Sequence, residues 1–155
     1  MATTTSHRTA RSLVPDAVFD QLVERIVHDE DMARPLAERI VDQALAFLAA
    51  CATDHDRPLA PSFLVDIGWH TFLLHTRAYA QFCQQVAGRF LHHAPTEPGT
   101  VDREEARETR DRTLAAIEAA GYAVDPDLWP QMHAECKQDD CHQCHQGCTD
   151  SPKKK

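Results

Sequence analysis

The stretch from Pro61 to Pro95, PSFLVDIGWHTFLLHTRAYAQFCQQVAGRFLHHAP, constrains the fold more than any other part of the chain. It gathers Phe63, Trp69, Phe72, Tyr79 and Phe82, in a sequence that is only 6% aromatic, so a core must form around it. Val65, Trp69, Phe72, Thr76, Tyr79, Cys83 and Val86 recur at steps of four and three, the period of one helix face. Ser62 can cap the start by accepting a backbone N–H bond, and Gly88 can end the helix in a left-handed cap. The spacing predicts one central helix from Ser62 to Ala87, a rod of roughly 39 Å at about 1.5 Å per residue. A second stripe carries Asp66, His70, Leu73 and Arg77, an alignment of ionisable groups that invites a functional reading.

The flanking segments read as helices too. Pro15 suits a first helical turn, and Val18, Phe19, Leu22, Val23, Ile26 and Val27 follow on one apolar face. Pro35 opens a second helix, with Leu36, Ile40, Val41, Ala44, Leu45 and Leu48 in register as far as Cys51. Asp102 to Ala120 predicts a fourth, with Glu108 and Arg112 spaced to pair and Gly121 as its stop. The VDPDLWP segment, with prolines on both sides of Trp129, reads as an irregular strap packing back on the body. The expected fold is all-α: a compact bundle of about four helices with a long central helix and a flexible Cys/His-rich C-terminal tail. Residues 1–13 form an N-terminal arm in this reading, 14–131 the helical domain and 132–155 the tail.

Charge and hydropathy exclude several classes. A net charge of -8 argues against a nucleic-acid partner, which requires clustered Lys and Arg against phosphates. No run approaches the roughly 18 apolar residues of a membrane span, and the opening MATTTSHRTARSL has no apolar export core. A cytoplasmic location follows as the expectation. In that reducing setting six cysteines are thiols or metal ligands rather than disulfides.

The tail carries the most specific chemical signal. Cys136, Cys141, His142, Cys144, His145 and Cys148 place six nitrogen or sulfur ligands within a short run that can fill little of a core. Zinc takes four such ligands in a tetrahedron, and the C-x2-C pair is its usual half-site. Zinc is therefore the expected ion, with copper(I) favoured next by thiolates and iron as a further alternative. The body offers a second set. Asp66 and His70 lie one helical turn apart, and a chain reversal at Gly88 can bring His92 or His93 back against them. Two imidazoles and one carboxylate suit zinc or non-haem iron with open positions, the catalytic pattern. Against this stands packing: a lone histidine is commonly a hydrogen-bonded core or surface residue. His75, at the edge of the apolar seam, reads that way.

Asp66, Trp69, His70 and Leu74 form a D-x-x-W-H-x-x-x-L motif, followed by Phe82-Cys83, then Gly88, Arg89, Phe90, His92 and His93, then Cys141, Cys144 and Cys148. Together these resemble a group of small actinobacterial proteins called glycine-rich domain-containing protein-like, from about Pro15 onward. The resemblance implies the helical architecture and the two His/Cys clusters, and it implies no reaction. Three functions remain open from sequence: a small zinc-binding protein, a metalloenzyme with an Asp/His site, and a carrier body whose tail meets and is modified by a partner enzyme.

Overall fold

Apolar residues at helical spacing build α1 (Asp16–Glu30) and α2 (Arg34–Cys51), joined through Asp31, whose φ of 53° makes the left-handed turn. The computed structural model describes residues 7–53, 55–94 and 102–131. Among them are three further α-helices, α3 (Phe63–Leu74), α4 (Thr76–Ala87) and α5 (Arg103–Ala119), with short 3-10 turns at Arg11–Leu13 and Pro126–Leu128. The class is all-α. None of these helices is long and apolar enough to cross a membrane.

α2 is the most enclosed element, packed against α1, α3 and α5. Its alanines explain how. Ala37, Ala44, Ala46, Ala49 and Ala50 are buried alongside Ile40, Leu45, Phe47 and Leu48, so neighbours can approach on several sides. The closest approach is at Gly68 of α3, where an added Cβ would lie 2.8 Å from the Ala44 Cβ and 3.1 Å from the Ile40 carbonyl oxygen. A backbone atom cannot step aside. Gly68→Ala should therefore lower stability by about 1–3 kcal/mol, the usual cost of overpacking, in a urea melt. An unchanged midpoint would show that α3 can slide on α2.

The stretch expected as a single helix from Ser62 to Ala87 is two helices. Both ends behave as the sequence implies: Ser62 Oγ accepts from the Val65 N–H, and Gly88 closes α4 at a φ of 68°. The difference lies at His75, with φ -90° and ψ 65°. There the backbone N–H turns back to the Phe72 carbonyl at 2.9 Å, and a ring nitrogen meets the Thr71 carbonyl at 2.9 Å. These bonds satisfy two carbonyls that a continued helix would have paired. The break redirects α4 so that the Tyr79 hydroxyl reaches the Trp69 indole N–H at 3.0 Å. On a straight helix ten residues rise about 15 Å, and the two would never meet.

Other connections close the domain. α5 is capped by Asp102, whose carboxylate accepts from the Glu104 N–H at 2.8 Å, and it buries Ala106, Thr113 and Ile117. The expected pairing of Glu108 with Arg112 gives way to the loop before α3: Arg112 donates to the Pro58 carbonyl at 2.9 Å, and Glu108 lies 3.7 Å from Arg57. The strap folds back as expected, with Leu128 and Trp129 each 1% exposed. Residues 7–13 depart from the expected arm. Arg8 forms a parallel bridge to Tyr122, Ala10 is fully buried, and the Ala10 N–H donates to Asp42 at 2.7 Å.

Candidate metal centre

Three side chains from two segments converge on one point. Asp66 and His70 share a face of α3, one turn apart, with His70 Nδ1 3.5 Å from Asp66 Oδ2. His93 arrives from the segment after Gly88 and sets Nε2 2.9 Å from the other carboxylate oxygen, Oδ1. The two imidazoles stack at 4.6 Å between centroids, 28° apart in plane. One ligand atom from each of Asp66, His70 and His93 lies within 4.8 Å of the other two.

The helix break and an aromatic relay place His93. Trp69 Nε1–H donates to the Tyr79 hydroxyl, which in turn donates to the Leu91 carbonyl two residues before His93. Burial holds the Tyr79 phenol above its ordinary pKa, so it remains a donor. The Trp69 ring also packs directly on His93, 4.2 Å between centroids, with Phe47 behind it at 5.3 Å. The residues that hold the core together therefore also set the position of the imidazole.

Burial grades across the cluster. Side-chain exposure is 7% for Asp66, 9% for His93 and 36% for His70, so the site is floored by protein and opens past His70. Ligand atoms on a tetrahedral zinc at about 2.0–2.2 Å sit roughly 3–3.6 Å apart. Closing to that spacing needs about an ångström of movement, which the half-exposed His70 ring can supply by rotating about its side-chain bonds. A buried carboxylate faced by two imidazoles offers one anionic oxygen and two neutral nitrogens, a borderline set that suits zinc or ferrous iron.

Of the residues singled out from sequence, the structure brings together Asp66, His70 and His93. It places His92 outside, exposed and against the Phe90 ring at 4.8 Å. Arg77 is exposed on α4, because the break at His75 ends the stripe it shared with Asp66. His75 itself is half-buried in the break. Cys136, Cys141, His142, Cys144, His145 and Cys148 lie outside the described residues. Cys83 is buried, and burial pushes the Cys51 thiol up to about 12, so neither body cysteine is a ready ligand. Sequence reasoning missed two contributors, Trp69 as the surface under His93 and Tyr79 as its tether. Their period marked them only as core.

No curated protein and no solved structure matches the chain. A protein-family model described as UCP032817-like matches residues 10–117, which include α1 to α4, the three converging side chains and nearly all of α5. With more than half its length inside that match, the chain belongs to the UCP032817-like family.

Proposed function

We propose that this protein binds a divalent metal ion at Asp66, His70 and His93, with zinc the first choice. The supporting observation is the buried Asp66 carboxylate, which presents one oxygen to each of two imidazoles from separate segments. A hydrogen-bonded core histidine needs one such partner. Two stacked rings on one carboxylate fit a cation better.

Three protein ligands leave at least one coordination position free, the arrangement of catalytic rather than structural zinc sites. That feature supports a metalloenzyme as the second reading, with non-haem iron as its alternative ion. The cysteine run from Cys136 to Cys148 is a further proposed ligand set, for zinc or copper(I), resting on its spacing alone. A cytoplasmic setting belongs to the same reading, since such thiols persist under reducing conditions. The narrower likeness to glycine-rich domain-containing protein-like proteins is compatible with it, as is a partner protein acting on the tail.

The test isolates the body site in the full chain by replacing Cys136, Cys141, Cys144 and Cys148 with serine. Zinc at about 100 times its dissociation constant stabilises a folded protein by about 2.7 kcal/mol. For a domain of this size that raises Tm by roughly 5–10 °C. The rise should vanish in the same chain carrying His93→Ala. A melting curve blind to zinc in the parent would defeat the proposal.

A further inference from the structure

Among the described residues, large apolar side chains stay exposed only on the two segments that build the metal centre. They are Phe63 and Leu74 of α3 and Phe90 of the segment after Gly88, at 42%, 71% and 46% exposure. Exposed hydrophobics scattered singly are ordinary and mean little. These are not scattered. Phe63, His70 and Leu74 follow one another at steps of seven and four along α3, which keeps them on one ridge of the helix. At about 1.5 Å per residue, Phe63 sits roughly 10 Å before His70 along the axis and Leu74 roughly 6 Å after it. Phe90 precedes His93 by three residues, at most about 11 Å of chain. Its ring is fixed against the rings of Tyr79 at 5.2 Å and His92 at 4.8 Å. The more exposed edge of the cluster, His70 at 36% against 7% for Asp66, therefore lies between apolar side chains.

Charge says what such a rim can serve. Asp66 is the one carboxylate of the cluster among the described residues. With two neutral imidazoles it leaves a divalent ion with a single positive charge in excess, beside side chains that are 7% and 9% exposed. Uncompensated charge in such surroundings is costly, and a monoanion in the open position removes the excess. A phosphate monoester, with a charge of about -1.5 to -2, would overshoot it. The apolar side chains then select what the anion is attached to. We propose that the Asp66/His70/His93 centre binds a small apolar monocarboxylate, with the carboxylate on the ion and the alkyl or aryl body against Phe63, Leu74 and Phe90. The inference rests on the metal-binding reading above and deepens it by naming the ligand class.

Cobalt(II) reports the head group, because its visible bands shift when a carboxylate replaces water on the ion. The full chain with serine at the four tail cysteines receives one equivalent of cobalt(II). It is then titrated with octanoate and, separately, with acetate, which has the same head and almost no body. Each buried methylene is worth about 4-fold in affinity, so burying three gives octanoate roughly a 50-fold advantage. Phe63→Ala combined with Leu74→Ala should remove most of that advantage, while acetate, which touches only the ion, should hold its affinity. Equal affinity for the two acids would overturn the proposal. Octanoate binding at full strength in the metal-free chain would overturn it too, since the carboxylate would then not be on the ion. A dimer that the double variant dissociates in sedimentation would assign the rim to a second copy of the chain and sink the idea as well. Failure of the underlying reading looks different. Cobalt(II) uptake that His93→Ala leaves unchanged removes the body site itself, and the carboxylate proposal falls with it.

Discussion

Gln43→Leu should cost about 3–5 kcal/mol of stability although the two side chains are of similar size. Gln43 is 2% exposed in the middle of α2, and its amide is fully used. Oε1 accepts from the Trp129 indole at 2.9 Å and from the Asp125 backbone N–H at 3.0 Å, while Nε2 donates to the Ala123 carbonyl at 2.9 Å. Leucine orphans all three strap groups at once. A buried polar group left without a partner costs roughly 1–3 kcal/mol, and part of that returns if the strap loosens to admit water. Arg39 limits the loosening from outside. It grips Asp125 at 2.6 and 2.8 Å, and that bond holds the Asp125 carboxyl below its ordinary pKa. Arg110 does the same from α5 through the Trp129 carbonyl. Urea unfolding of the two proteins measures the difference, and a loss below about 1 kcal/mol would show that the arginines alone secure the strap.

Gln43 also marks a limit of reading the chain as a pattern. Its neighbours in sequence announce a helix, and the strap was visible in the prolines around Trp129, but no local signal joins position 43 to position 129. Helix ends were legible where one residue decides them: the Ser62 hydroxyl, and glycines at 88 and 121 that take positive φ. The break at His75 was not legible. It has no glycine or proline, and the apolar period runs straight across it, because α3 and α4 bury Trp69, Phe72 and Tyr79 into one shared cluster. A period reports which residues are inward. It cannot say whether the backbone between them is straight.

The site divides along the same line. Asp66 and His70 were joined by helical spacing, a local property that the structure keeps. Their partner came from a segment without regular structure, where adjacent His92 and His93 were equivalent by sequence. The choice between them is made by Leu91. Its carbonyl is bound by Tyr79 and the residue is 5% exposed, so the residue two places on turns inward with it and His92 turns out. That selection depends on the His75 break, which is what brings Tyr79 within reach of Trp69. The feature hidden from sequence thus determines which histidine completes the cluster.

Asp66→Asn and Asp66→Ala should separate the carboxylate's two roles. Asparagine keeps the shape and one acceptor oxygen, so His93 Nε2 can retain its 2.9 Å partner and the apo fold should melt within a few degrees of the parent. It loses the negative charge that a divalent ion requires in a site this enclosed. Affinity should fall by roughly 100-fold or more, since even the residues that only orient metal ligands are worth about 10–100-fold. Alanine should lose the same affinity and also weaken the fold by about 1–3 kcal/mol, because the partly buried His93 ring is left without its carboxylate partner. Zinc affinity and thermal melting of both variants, on the chain with serine at the four tail cysteines, give the comparison. Undiminished zinc affinity in Asp66→Asn would assign the ion to the imidazoles alone and leave Asp66 as a hydrogen-bond acceptor that holds His93 in place.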